Sequence, residues 1–233
     1  MDTSISTSQQ FELFFRERFG FMLESEKARK LINYKALNAS ARKGAVLFTG
    51  SSLMEQFPVC ELAKSAGIEK TIYNRGIGGS TTDDFLRNID TVLLDLQPSR
   101  VFINIGTNDM TTRFYGEDWM EHLFANYETI LRTALEKIPG VEIYLMAYYP
   151  TCPSKPGLTE HDRELLKERT RENIAECNRR VALLAEKYSQ HYIDANAGLT
   201  GINGETKPEY SIDGVHMYAV AYEVVFRNLM QYI

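Results

Sequence analysis

The chain has 233 residues, 44% hydrophobic and 24% charged, and carries a formal net charge of −5. That composition is an ordinary globule's, long enough for a full hydrophobic core, and one domain over 1–233 is expected, with 1–44 as an N-terminal helical segment packed on it. The acidic balance leaves no basic surplus for nucleic acid, and no apolar run reaches the ~18 residues of a membrane span.

The spacing predicts a helix over residues 8–40, with Phe11, Phe14, Phe15, Phe19 and Met22 as a face packed on the core or, alternatively, as a dimer contact. Residues 45–49 read as a buried strand that breaks into Gly50-Ser51-Ser52. A helix interrupted at Pro58 is expected over 52–66. A second strand, 71–74, runs into the glycine-rich turn Arg75-Gly76-Ile77-Gly78-Gly79-Ser80. A helix over 82–96 presents Phe85, Leu86, Ile89, Val92, Leu93 and Leu96 on one side and ends at Pro98.

The third strand, 101–105, leads into Gly106-Thr107-Asn108-Asp109. A long amphipathic helix, 117–137, stops at Pro139-Gly140. The fourth strand, 141–147, ends in Tyr148 and Tyr149, which suit either a pocket wall or packing. A Pro-rich loop precedes a charged helix over 160–188. A fifth strand, 191–194, is followed by a glycine-containing loop, Ser211-Ile212-Asp213-Gly214-Val215-His216 and a last helix over 217–232. Strands alternating with helices predict a parallel sheet covered on both faces.

Polar or small residues follow the strands: Ser52, Gly78 and Gly79, and Asn108. Asp213 and His216 come late, three residues apart. In an open parallel sheet, ligands bind beyond the carboxyl ends of the strands. Acyl transfer by serine needs a hydroxyl, a base, a group to orient that base and donors for the oxyanion. All four are available here. Residues three apart on a helical turn share a face, so Asp213 can hold the imidazole of His216 and leave its other nitrogen for a serine. Each residue also has a plainer reading. Gly50-Ser51-Ser52 suits an N-cap, the glycines suit positive φ, Asn108 suits an Asx-turn, and Asp213 suits a helix cap.

Competing motifs fail. The nucleophile elbow lacks its last glycine at Met54. A dinucleotide fingerprint would need glycine or alanine at Thr81. There is no Walker A lysine. His122, His161 and His191 are isolated and read as surface or capping residues, so neither metal nor cofactor is expected. Cys60, Cys152 and Cys177 form no disulfide framework and no metal spacing. With no basic and apolar leader visible, the chain is expected to be cytoplasmic.

Four blocks in order resemble the SGNH hydrolases, also called the GDSL esterase/lipase family. They are Phe48-Thr49-Gly50-Ser51-Ser52-Leu53, Asn74-Arg75-Gly76-Ile77-Gly78-Gly79-Ser80-Thr81, Gly106-Thr107-Asn108-Asp109 and Asp213-Gly214-Val215-His216. The resemblance runs from about Ala45 to the C-terminus. It implies a flavodoxin-like α/β/α sandwich with a five-stranded parallel sheet in the order 2-1-3-4-5. It implies Ser52 as nucleophile, His216 as general base and then acid, and Asp213 as the orienting carboxylate. The backbone N–H groups of Ser52 and Gly79 and the Asn108 amide would form the oxyanion hole. The chain departs from the family where Ser51 replaces the aspartate of Gly-Asp-Ser, which leaves two candidate hydroxyls. Ala221-Tyr222, where Gly-Tyr is frequent, is a smaller departure.

The resulting expectation is a metal-independent serine esterase acting on a small-molecule, short-chain ester, acetyl above others because no long apolar lid is visible. The alternatives are a lysophospholipase or thioesterase, and a sugar acyltransferase. A homodimer is compatible with the sequence.

Overall fold

The computed structural model describes the backbone of residues 7–233 and the side chains of Arg18 and of residues 20–233. Helix α1 (Thr7–Ser40) leads into β1 (Val46–Gly50), whose five residues are all buried. Two short helices follow, α2 (Ser52–Glu55) and α3 (Val59–Ser65), parted by Pro58 as expected. Then come β2 (Ile72–Asn74), α4 (Thr82–Arg87), α5 (Ile89–Val92), β3 (Arg100–Asn104), α6 (Thr112–Tyr115) and α7 (Trp119–Lys137). The chain closes with β4 (Glu142–Met146), α8 (Glu160–Leu166), α9 (Arg171–Lys187), β5 (His191–Ile193) and α10 (Ala219–Leu229).

The strands form one five-stranded sheet in the order β2-β1-β3-β4-β5, and every pairing is parallel. Both faces are covered, which is why the central strands carry apolar residues without polar alternation. Successive side chains point to opposite faces. Leu47, Val101, Ile103, Ile143 and Leu145 therefore share one core with residues of α4, α5, α7 and α9. Val46, Phe48, Phe102, Tyr144 and Met146 share the other with α2, α3 and α10. On that second face, Phe48 stacks on Phe102 at 4.5 Å and Phe102 on Tyr144 at 4.9 Å, tying three neighbouring strands through their rings.

Two expected helices are broken. The segment 82–96 divides at Asn88, whose side-chain amide donates to the Asp84 carbonyl at 2.8 Å. Such a local bond offers the backbone an alternative to continued helix. A 3-10 turn, Leu94–Leu96, completes the segment. The segment 160–188 divides between Leu166 and Arg171, where Thr170 accepts from Asn173 N–H at 3.1 Å and starts α9 as its N-cap.

Helix α1 is longer than its packing partners, and the expected aromatic face falls mostly on Phe11, Phe14, Phe15 and Phe19, whose side chains lie outside the described residues. Met22 is not in the core; it is 59% exposed. The described part of α1 docks largely through polar contacts. Lys27 pairs with Asp84 at 2.8 Å, Tyr34 OH donates to Gly76 O at 2.9 Å, and Asn38 Nδ2 donates to Thr91 O at 2.8 Å. Arg75 returns a bond to Asn38 Oδ1 at 3.0 Å. Cys60 is exposed and free, while Cys152 and Cys177 are buried and free. Among the described residues, no helix is long and apolar enough to cross a membrane.

Candidate active site

The chain leaves β1 to pair β2 on one side, then crosses back to pair β3 on the other. The reversal opens a crevice at the carboxyl ends of β1 and β3, the place where open α/β sheets hold ligands. Gly50 makes the first turn possible. Its φ is +149°, and a Cβ there would lie 1.9 Å from the Asn104 carbonyl oxygen. The next two residues then point differently. Ser51 is fully buried, and its hydroxyl has no hydrogen-bond partner among the described residues. Ser52 opens α2 and bonds His216 Nε2 through its Oγ at 2.8 Å.

His216 Nδ1 faces Asp213 Oδ2 at 2.6 Å. The other Asp213 oxygen accepts from the backbone N–H of Val215 at 3.0 Å and of His216 at 2.7 Å. Burial works against the charge on Asp213, but the bonds from the His216 ring and backbone outweigh it and hold the carboxyl well below the usual range. These residues are not on a helical turn, contrary to the geometry expected from their spacing. They occupy a bend ahead of α10, closed by Ile212 N–H donating to His216 O at 2.8 Å. Asp213 does not cap α10, which begins at Ala219 behind Tyr218. The carboxylate binds its own loop's N–H groups instead, and this brings the ring within reach.

Gly79 lies in the left-handed region at φ +72°, with Leu23 of α1 beside it; a Cβ there would meet Leu23 at 3.0 Å. Glu55, three residues after Ser52, accepts from Gly78 N–H and from Lys30 of α1, so α2 and α1 both fix this turn. Among the described residues, neither Ser52 nor Gly79 donates its N–H to a backbone carbonyl. Asn108 sits in a 3-10 turn, Thr107–Asp109. Its amide does not bond within its own turn: Nδ2 donates to Ser80 O at 3.0 Å, and Oδ1 accepts from Arg169 Nη2 at 3.4 Å. The next residue, Asp109, is fully buried and accepts from Thr82 N–H at 3.1 Å, with a second bond from the Thr82 hydroxyl. Burial pushes its carboxyl up to about 7 against those bonds.

Leu53, Thr107 and Val215, chain neighbours of Ser52, Asn108 and His216, line one small cavity of about 10 Å³. Tyr148 and Tyr149 form part of its wall and are also packed in the interior, so both expectations for them hold. Arg169 closes the same cavity. This arginine lies in the break between α8 and α9, where a continuous helix was expected. Neither it nor Glu55 was legible as a site residue; the Thr170-x-x-Asn173 cap signal could have revealed the break that turns Arg169 inward. His122 bonds Asp83 at 2.9 Å, and His191 stacks on Tyr144 at 4.5 Å. Among the described residues, no group of three or more His, Cys, Asp or Glu side chains could hold a metal ion.

A parallel sheet in this order, with helices on both sides and the polar groups gathered at its reversal point, defines a flavodoxin-like α/β protein. The chain belongs to the GDSL-like Lipase/Acylhydrolase family, whose model matches residues 57–224, and the assignment supports a carboxylic ester hydrolase. That match includes Gly79, Asn108, Asp213 and His216 and begins after Ser52. The chain is 25% identical over 185 residues to platelet-activating factor acetylhydrolase IB subunit alpha1 of Bos taurus, covering 79% of this chain and 72% of the relative. A structure from Streptococcus pneumonia, provisionally described as a platelet activating factor, is 28% identical with a TM-score of 0.80, covering 97% of this chain and 99% of that one. An acetylxylan esterase from Geobacillus stearothermophilus shares the fold, at 15% identity and a TM-score of 0.61, covering 82% of this chain and 94% of its own.

Proposed function

We propose that this protein is a serine esterase that cleaves a short-chain carboxylic ester, acetyl above others, through an acyl-enzyme. The observation that carries the reading is the line Asp213–His216–Ser52, bonded at 2.6 and 2.8 Å although Ser52 is 164 residues from His216. Ser52 Oγ attacks the ester carbonyl while His216 Nε2 takes its proton. Asp213 holds Nδ1–H and stabilises the imidazolium that forms. The N–H groups of Ser52 and Gly79 and the Asn108 amide donate to the oxyanion. His216 then returns the proton to the leaving alcohol. A water, deprotonated by the same nitrogen, attacks the acyl-serine and releases the acid. No step calls for a metal.

A short acyl group is supported by the Bos taurus relative, which is named an acetylhydrolase.

The test is hydrolysis of p-nitrophenyl esters of increasing chain length by wild type, Ser52→Ala and Ser51→Ala. Turnover should be highest on acetate, nearly abolished by Ser52→Ala and largely kept in Ser51→Ala. Fluorophosphonate should label Ser52. The reverse ranking of the two serines would reject the nucleophile. A rate that climbs with chain length would favour a fatty-acyl hydrolase, and acylated sugar among the products would favour transfer.

A further inference from the structure

Resting on the reading of Asn108 as an oxyanion donor, we propose that Arg169 is a positioning residue that sets which end of the Asn108 amide faces the ester. An asparagine side chain offers an oxygen and an NH₂ of nearly equal shape, and only its surroundings choose between the two orientations. If the amide turned over, a carbonyl oxygen would face the developing oxyanion and repel it.

Arg169 makes that choice chemically. A guanidinium has donors and no acceptor. Its Nη2 lies 3.4 Å from Asn108 Oδ1, and its Nε donates to Thr107 O at 3.0 Å. In the turned-over amide, two donors would confront each other at that contact. On the other side, the Ser80 carbonyl accepts one Nδ2 hydrogen at 3.0 Å, a bond the oxygen end could not make. A donor-only group and an acceptor-only group thus bracket the amide. One N–H is spent on Ser80, and the second is left for the substrate.

The arginine is suited to nothing more ordinary. It is only 6% exposed, and among the described residues no carboxylate lies within ion-pair distance of it. Burial lowers its pKa to about 10, with the charge of Asp213 acting against that. Its own carbonyl accepts from Thr151 Oγ1 at 3.1 Å, which pins the connection between α8 and α9 at this spot. Burying a cation without a partner is expensive. The fork geometry gives it two fixed acceptors on the one loop that carries Asn108, and lysine would not reproduce that fork.

The experiment is a double-mutant cycle of Arg169→Met and Asn108→Ala, with turnover counted per fluorophosphonate-titrated serine. Arg169→Met should lower kcat roughly 10- to 10²-fold, because a misoriented donor costs part of what a deleted one does, with KM changed by less than about twofold. In the Asn108→Ala background, the same substitution should change kcat by less than about twofold, since the group it orients is gone. Equal losses in both backgrounds, or unchanged kcat in Arg169→Met, would overturn the proposal. Should Arg169→Met fail to fold, Arg169→Lys keeps the cation without the fork; it should show a smaller kcat deficit that also vanishes with Asn108→Ala, and wild-type turnover in it refutes the role. The side-chain amide of Asn108 in a ¹H–¹⁵N spectrum, assigned through Asn108→Ala, reads orientation without turnover. It should be dispersed and protected from exchange in wild type and lose both in the arginine variants; an unchanged signal there also overturns the role. If Ser52→Ala keeps full activity, the esterase reading fails, and the spectrum still decides on Arg169.

Discussion

Two adjacent serines differ here by the direction of a single peptide step. Ser51 N–H pairs with Asn104 O at 3.2 Å and so continues the ladder of β1, which carries its side chain into the interior. Ser52 has left the ladder and opens a helix, so its hydroxyl is available at the rim. A similar distinction separates Asn108 from Asp109. The first aims its amide at Ser80 and Arg169, the second buries its carboxylate on Thr82. In the proposed role of oxyanion donor, Asn108 would act where charge develops, so its loss would fall on kcat more than on KM. Asn108→Ala should reduce kcat by ~10²–10³ with KM nearly constant and the melting temperature close to wild type. A variant that melts early but turns over normally per titrated serine would make Asn108 a residue of loop structure only.

Between elements, Asp109 joins the turn after β3 to the first residue of α4, and through Asn126, which donates to Thr82 Oγ1 at 3.0 Å, to α7. The groups around that carboxyl include Asp83, which raises its pKa, and His122, which lowers it. Its folded pKa, pushed up to about 7 chiefly by burial, exceeds the value of about 3.9 in an unfolded chain. The folded state therefore holds the proton more tightly, and its stability falls as pH rises from about 4 through 7. Asp109→Asn removes that titration. The melting temperature of wild type relative to the variant should decline between about pH 5 and pH 8. A difference that stays constant across that range would show that Asp109 is ionised throughout.

At the scale of the whole molecule, the sheet presents its rim and α1 braces it. Lys27, only 8% exposed, pairs with both Glu24 and Asp84, and Lys30 reaches Glu55 beneath the Gly78–Gly79 turn. Helix α1 thus contacts α2, α4 and the glycine turn, three pieces that the parallel sheet alone would leave to their own loops. Lys27→Met removes the buried partner of Asp84, a carboxylate that is 16% exposed and keeps Arg87 at 2.8 Å. It should cost on the order of 2 kcal/mol in denaturant unfolding, with the loss shared by the segment around α4. A cost of a few tenths would place this pair with ordinary surface ion pairs.

The sequence by itself determined the strands, their parallel arrangement and the polar residues at their ends. Buried parallel strands must be apolar throughout, and turns that need positive φ must draw glycine, so both leave marks on neighbouring residues. The resemblance to a known family supplied the strand order and grouped Ser52, Gly79, Asn108, Asp213 and His216. The tertiary structure alone decided the rest. It showed which local side-chain bonds prevail over helical ones at Asn88 and between Leu166 and Arg171, where the Thr170-x-x-Asn173 cap was the mark the sequence carried. It placed Asp213 and His216 on a bend rather than a helical turn. It turned Arg169 inward, 61 residues from the Asn108 amide it meets, and set Glu55 beneath Gly78. Those partners are distant in the chain and carry no periodic pattern, so no local reading of residues could have joined them.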